Sequence, residues 1–398
     1  MTARRILTTR LEGFGASVFA EMTALAVATG SVNLGQGFPD YDGPTEVLET
    51  AREQIAAGAN QYPPGTGTAD LRAAVSEHQQ RFWGMTVDPD TEVLVTMGAT
   101  EAIAAALLAM IDTGDEVIVF EPLFDTYAAC VSLAGGVLVP VTLRPDGNRR
   151  FTFDPDELRR AVTPRTKIIL LNSPHNPVGT VFTRGELGHV AEVAVAHDLI
   201  VVSDEVYEHL TFDGAVHTPI ATLPGMRERT LTVSSGGKSF NTTGWKIGWA
   251  CGPAPLVNAT RMAKQLFTFA GGTPFQAAIA RGLRLPDTYF DNLAADLQTK
   301  RDLLDAGLRS AGLVPHRCEG TYFLTADIRP LAPDGDGTAF CRAMPAAYGV
   351  VAIPAGVLYT ASGEPGGRHI VRFAFCKQTS TIEEAARRLA ASSGRMGS

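Results

Sequence analysis

Leu199-Ile-Val-Val-Ser-Asp204-Glu-Val-Tyr207 is a short, unbroken apolar run that ends in acidic residues. A run without polar alternation suits a strand buried on both faces, as in a parallel sheet covered by helices. The same pattern recurs at Lys167-Ile-Ile-Leu-Leu-Asn172. Working outward, strands are read at residues 92–97, 116–120, 167–172, 199–204, 230–234 and 246–251, with helical patterns between them, clearest at 101–111 and 186–197. This alternation predicts an α/β fold with a mostly parallel central sheet and helices on both faces. Residues 281–291, with Pro286, lead into a long helix predicted over 292–311 and a smaller C-terminal α+β lobe. The Gly- and Pro-bearing segment 33–44 has turn chemistry and is free to run across to that lobe. The expected division is an N-terminal arm with part of the small domain (1–45), a large domain (46–290) and a small domain (291–398).

Composition excludes several classes of function. The 398 residues carry 34 basic and 42 acidic side chains, a formal charge of -8 that leaves no footprint for nucleic acid or an anionic membrane. Hydrophobic residues at 45% and charged residues at 19% are ordinary for a globular protein. The cysteines, Cys130, Cys251, Cys318, Cys341 and Cys376, are odd in number and lack C-x-x-C spacing, so they read as buried thiols in a reducing cytoplasm. No run of 18 apolar residues occurs, and residues 1–10 have no apolar segment behind their arginines. A cytoplasmic protein is the expectation.

Lysine is scarce, six against 28 arginines, so its positions are informative. Two fall in Ser234-Ser-Gly-Gly-Lys238-Ser-Phe-Asn-Thr-Thr-Gly-Trp-Lys246-Ile-Gly-Trp249, directly after a predicted strand. Glycines let backbone approach a ligand, and a lysine held in such a loop can be desolvated into a nucleophilic amine. A surface hairpin with two solvated lysines is the plainer alternative. Asp204 stands at the carboxyl end of its strand, where open α/β sheets place ligand-contacting groups. Buried there it requires a cationic partner, unless it merely caps a helix. In Asn172-Ser-Pro-His-Asn176-Pro-Val-Gly-Thr180, two prolines stiffen a turn that presents Asn176 in one orientation, or form a turn with no further role. In Thr96-Met-Gly98-Ala99-Thr100-Glu-Ala102, a strand enters a helix through small residues, giving an anion cup or simply tight packing.

Singly each segment is ambiguous; together they supply a lysine nucleophile, an acid at a strand end, an oriented amide and a phosphate cup. Pyridoxal 5'-phosphate requires all four. Other readings fail on missing parts. Ser235-Gly-Gly-Lys238 fits S-x-x-K, yet the S-D-N and K-T-G elements of penicillin-binding enzymes are absent. Gly65-x-Gly67 follows no strand and lacks the third glycine of a dinucleotide fingerprint. A ligand-sensing regulator would need a basic DNA-reading domain, for which no residues are available before Asn33 or after Arg372. His209 reads as a packing or capping residue, Trp245 and Trp249 as anchors of the loop, and no metal site is expected.

On these motifs the chain resembles the class I/II, fold-type I pyridoxal phosphate aminotransferases. Val32-Asn-Leu-Gly-Gln-Gly-Phe-Pro-Asp40, Asn60-Gln-Tyr-Pro-Pro-Gly65 and Gly244-Trp-Lys-Ile-Gly-Trp-Ala-Cys-Gly252 are most similar to the kynurenine aminotransferase and actinobacterial N-succinyldiaminopimelate aminotransferase branch. The resemblance implies Lys238 as the Schiff-base lysine, Asp204 as partner of the pyridine nitrogen, and Tyr207 and Asn176 at the phenolic oxygen. It implies Gly98, Ala99, Thr100, Ser235 and Lys246 at the phosphate, with Tyr62 reaching the phosphate of a neighbouring subunit in a homodimer. Phe124, in Glu121-Pro-Leu-Phe-Asp-Thr-Tyr127, would stack on the ring. Arg372, in Ile370-Val-Arg-Phe373, would fork the substrate α-carboxylate, with Gly37 adding a backbone N–H. Val178 departs from many relatives in its turn and is expected to be tolerated, whereas departures at Gly356, Gly363, Pro365, Gly366 and Gly367 are expected beside the substrate side chain. The activity implied is transfer of an amino group between an L-amino acid and a 2-oxo acid, N-succinyl-LL-diaminopimelate with glutamate being favoured over kynurenine, glutamine or methionine. A lyase or a carbon–carbon bond-forming enzyme on the same fold is the alternative.

Overall fold

A computed structural model describes residues 7–11, 14, 18–360 and 365–391, without the side chains of 365 and 366. Its main sheet has seven strands: β1 Val93–Thr96, β2 Glu116–Glu121, β3 Val137–Thr142, β4 Thr166–Asn172, β5 Ile200–Asp204, β6 Thr230–Ser235 and β7 Gly248–Cys251, in the order β1-β7-β6-β5-β4-β2-β3. β3, β2, β4, β5 and β6 pair in parallel, whereas β7 runs antiparallel to both β1 and β6.

The apolar runs are buried on both faces, as their lack of alternation requires. Ile118, Phe120, Ile169, Leu171 and Val201 pack into one core, and Val117, Val119, Ile168, Leu170 and Val202 into the core on the other side. At the β1–β7 edge, Val93, Val95, Trp249 and Cys251 face a third cluster. Trp249 is fully buried, and Trp245 stacks on Phe275 with ring centroids 4.7 Å apart, so both anchor the loop that follows Lys238.

Two elements differ from the sequence expectation. β3 was not anticipated: its Val-Leu-Val-Pro-Val-Thr run is interrupted by Pro140, which donates no ladder hydrogen bond and suits an edge strand, where β3 lies. The long helix is Asp287–Ser310 rather than 292–311, beginning directly after Pro286, whose extended backbone forms its N-cap.

A second sheet, β8 Val314–Pro315, β9 Phe323–Asp327, β10 Ile353–Pro354 and β11 Ile370–Ala374, is antiparallel in the order β8-β9-β11-β10. The N-terminal segment joins this sheet's core: Val32 and Asn33 pair in parallel with Val350 and Val351, and Ala374 N donates to Leu34 O at 2.6 Å. Met22 and Ala26 of the helix Val18–Thr29 bury in the same cluster as Phe373 and Leu389. Gly37 lies in this crossing chain, where a Cβ would stand 2.5 Å from Phe323 Cζ and force that ring to shift. All five cysteines are buried and unpaired. Among the described residues, no helix is long and apolar enough to cross a membrane.

Candidate active site

The site forms where the carboxyl ends of β4, β5 and β6 meet the end of β1 and the start of β7. Gly248 of β7 pairs with Thr96 on one side and Ser235 on the other, bringing three distant loops to one edge. A cavity of about 210 Å³ opens there. Its lining includes Asp204, Tyr207, Lys238, Asn176 and Phe124. Gly98, Ala99, Thr100, Ser235 and Lys246 also line it.

Ala99 and Thr100 begin the helix Gly98–Met110, whose first-turn N–H groups have no intrahelical partner and favour an anion. Gly98 has φ +74°, and a Cβ there would sit 3.1 Å from Lys246 Nζ. Lys246 itself takes φ +55°, folding its ammonium back over that helix start. Helix start, hydroxyls of Thr100 and Ser235, and ammonium converge on one end of the cavity, which suits a phosphate.

Asp204, also in the lining, is buried. The sequence reading required a cationic partner; instead its Oδ2 accepts from the Tyr127 hydroxyl at 2.6 Å and its Oδ1 from Val206 N at 3.3 Å, both neutral donors. Burial raises its pKa to about 6, against the lowering effect of those donors and of the Lys238 charge. A carboxylate so placed gains from a ligand N–H⁺.

Lys238 follows β6 in the short helix Gly236–Ser239. Burial lowers its pKa to about 8, opposed by Cys376 and Asp204 and assisted by Lys246 and Arg372. The amine is therefore unprotonated in appreciable fraction near neutral pH, the condition for a nucleophile or base.

Asn176 is set by the turn after β4. Its N–H donates to Asn172 Oδ1 at 2.7 Å, while Asn172 Nδ2 donates to Asp204 O at 2.9 Å. Asn172 and Tyr127 were missed in the sequence: Tyr127 ends a quoted segment, but its bond to Asp204 spans 77 residues.

Arg372, on β11, approaches from the second sheet. It is buried, stacked on Phe323 with the guanidinium carbon 4.1 Å from the ring centre, and donates to Asn176 Oδ1 at 3.3 Å and Gly35 O at 3.2 Å. Its Nε has no partner, and among the described residues no carboxylate is bonded to it. Burial lowers its pKa to about 10. A desolvated guanidinium with an idle donor calls for an anionic ligand.

Tyr62, expected at the phosphate of a neighbouring subunit, is 81% exposed and touches Phe269. Gly356 and Gly367 line a separate cleft with Tyr359 and Arg368. Gly363 lies outside the described residues. Behind Asp204 and Tyr207, the alternate residues of the same segment form a buried polar network. Glu205 meets His217 Nε2 at 2.9 Å; Glu208 accepts from Trp83 Nε1 and Ser234 Oγ, each at 2.7 Å; His209 meets His78 at 2.7 Å. His209 thus packs as expected, but onto a partner 131 residues away.

A single cavity lined by an anion cup, a buried carboxylate and a desolvated lysine, at the strand ends of a mostly parallel sheet, points to the fold-type I pyridoxal phosphate enzymes. The chain belongs to the family described as "Aminotransferase class I and II", whose model matches residues 29–389. It is 52% identical over 386 residues to the probable N-succinyldiaminopimelate aminotransferase DapC of Mycobacterium tuberculosis, covering 96% of this chain and 97% of that one. To the methionine aminotransferase of Escherichia coli it is 38% identical over 380 residues, 96% and 97% of the two chains. The solved structure of N-succinyldiaminopimelate aminotransferase from Mycobacterium tuberculosis superposes with a TM-score of 0.93 at 52% identity, covering 97% of this chain and 99% of that one. The protein is a pyridoxal 5'-phosphate-dependent transaminase acting on amino acids and 2-oxo acids.

Proposed function

We propose that this transaminase takes N-succinyl-LL-diaminopimelate and glutamate as its amino-group partners, working as a cytoplasmic homodimer. The observation that carries the choice of donor is the 52% identity with the mycobacterial relative along nearly the whole of both chains, against 38% with the methionine enzyme. Bound in the cavity, pyridoxal 5'-phosphate supplies an aldehyde for the lysine amine and a ring that accepts electrons from the substrate Cα. The remaining work falls to the chain. The helix start at Gly98, Ala99 and Thr100, with Ser235 and Lys246, holds the phosphate. Phe124 would stack on the ring, and Tyr207 and Asn176 would serve its phenolic oxygen. Asp204 would keep the ring nitrogen protonated, and a facing N–H⁺ would in turn secure its own charge. Arg372 holds the substrate α-carboxylate with the N–H of Gly37, and Lys238 Nζ takes the proton from the substrate Cα and later gives it up. The divisions at residues 45 and 290 belong to this reading, since Lys238 and Arg372 then come from different domains and meet across the substrate.

A panel of amino donors assayed against 2-oxoglutarate, with glutamate formation measured, tests the donor. N-succinyl-LL-diaminopimelate should give the highest kcat/KM; a preference for kynurenine, glutamine or methionine would replace it. Ammonia and a 2-oxo acid released without glutamate would favour a lyase.

Exposed Tyr62, Leu266, Phe267 and Phe269 support the homodimer. Tyr62 and Leu266 are each 81% exposed, and Tyr62 and Phe269 touch edge-on, an apolar patch of the kind interfaces bury. With Tyr62 serving the neighbouring phosphate site, sedimentation should find an active dimer, and Tyr62→Ala should weaken cofactor retention. Fully active monomers would contradict this.

A further inference from the structure

Lys238 is held by a residue that the motifs do not single out. Its Nζ donates to the Tyr322 hydroxyl at 2.9 Å, and that hydroxyl donates to Gly37 O at 2.7 Å. The direction is fixed, because a carbonyl can only accept: the Tyr322 proton is committed to Gly37, leaving a lone pair for the lysine. Tyr322 is buried, its ring edge-on to Tyr207 at 5.1 Å and to Phe323 at 4.9 Å, so the hydroxyl has little freedom to leave. One oxygen therefore joins the strand end that carries Lys238, the entry to β9 and the crossing N-terminal chain, across sequence separations of 84 and 285 residues.

We propose that Tyr322 is a positioning residue for Lys238: its hydroxyl docks the amine whenever that amine is free and couples its placement to the Gly37 segment against which the substrate carboxylate sits. This deepens the reading above and rests on Lys238 being the proton-transfer base. A free amine on a flexible four-carbon stem needs such an anchor if it is to stay at the substrate Cα rather than swing into the cavity. An acceptor at Nζ also favours the protonated amine. It works with Asp204 and Cys376 and against burial, Lys246 and Arg372, the other groups that set the charge of Lys238.

Tyr322→Phe removes the hydroxyl and keeps the ring that packs on Tyr207 and Phe323. With full-length enzyme, kcat should fall about ten- to a hundredfold, the scale of a hydrogen bond to a charged group, with KM for the amino donor nearly unchanged. The rising limb of the kcat–pH profile should move to lower pH. A second readout is independent of turnover. With amino donor present and no 2-oxo acid, competitive acetylation of the six lysines, followed peptide by peptide by mass spectrometry, should show the Lys238 inflection displaced downward by about one pH unit. A variant that binds cofactor with normal absorbance but leaves the inflection and kcat unmoved overturns the positioning role while leaving the Lys238 assignment intact. Wild-type enzyme in which acetylated Lys238 retains turnover would instead overturn the assignment itself.

Discussion

Lys238→Ala should lower kcat/KM by about 10⁴-fold or more, the upper range of what one positioned acid–base group contributes. The effect is large because the proposed mechanism gives the lysine two duties, holding the cofactor and moving the proton at the substrate Cα, and no other amine is placed to take over. Lys246 is the nearest candidate, but its ammonium lies over Gly98 at the anion end of the cavity. The variant should still fold, since Lys238 is seated in a four-residue helix and its amine makes one side-chain hydrogen bond, to Tyr322. Absorbance of bound cofactor and single-turnover transamination are the measurements; a variant that keeps the wild-type spectrum and rate would end the assignment.

Asp204→Asn should lower kcat/KM by about 10²–10⁴-fold, matching the roughly 3–5 kcal/mol lost when one partner of a buried ion pair is removed. Asparagine has the same shape and can still accept from Tyr127, so packing should change little. What disappears is the charge that, in the proposed mechanism, would keep the ring nitrogen protonated. Alone, Asp204 is held by burial at a pKa of about 6; a facing N–H⁺ lowers it and secures the carboxylate at neutral pH. Asp204→Glu should recover part of the loss, because the charge returns in a displaced position. If Asp204→Asn stays within threefold of wild type between pH 6 and 9, the carboxylate does not serve the ring nitrogen.

Parts of the site were legible in sequence because their chemistry is local. Asp204 ends a strand and Lys238 and Asn176 lie in the turns just beyond one, and an apolar run ending in a polar residue signals both the strand and its ligand-facing end. Tyr127 and Tyr322 gave no such signal, and Asn172, though it ends an apolar run, reads equally as a turn asparagine. Each acts through hydrogen bonds to groups distant in sequence or across the sheet, and nothing in the immediate neighbours of the two tyrosines distinguishes such a contact from core packing. The network behind Asp204 was hidden for the same reason: Glu205, Glu208 and His209 are legible as acids and an imidazole, but Trp83, His78 and His217 are recruited by the fold. β3 was obscured by Pro140, whose compatibility with the sheet depends on an edge position that only topology reveals. The helix after Pro286 began early because the proline both terminates what precedes it and supplies the extended cap.

The insertion of β7 between β1 and β6 imposes an order on biogenesis. Residues 96 and 235 become neighbours only through Gly248, so a ribosome must have released some 250 residues before the anion cup can close, and the carboxylate fork at 372 emerges later still. Vitamin capture by a nascent polypeptide thus requires that this inserted strand has seated.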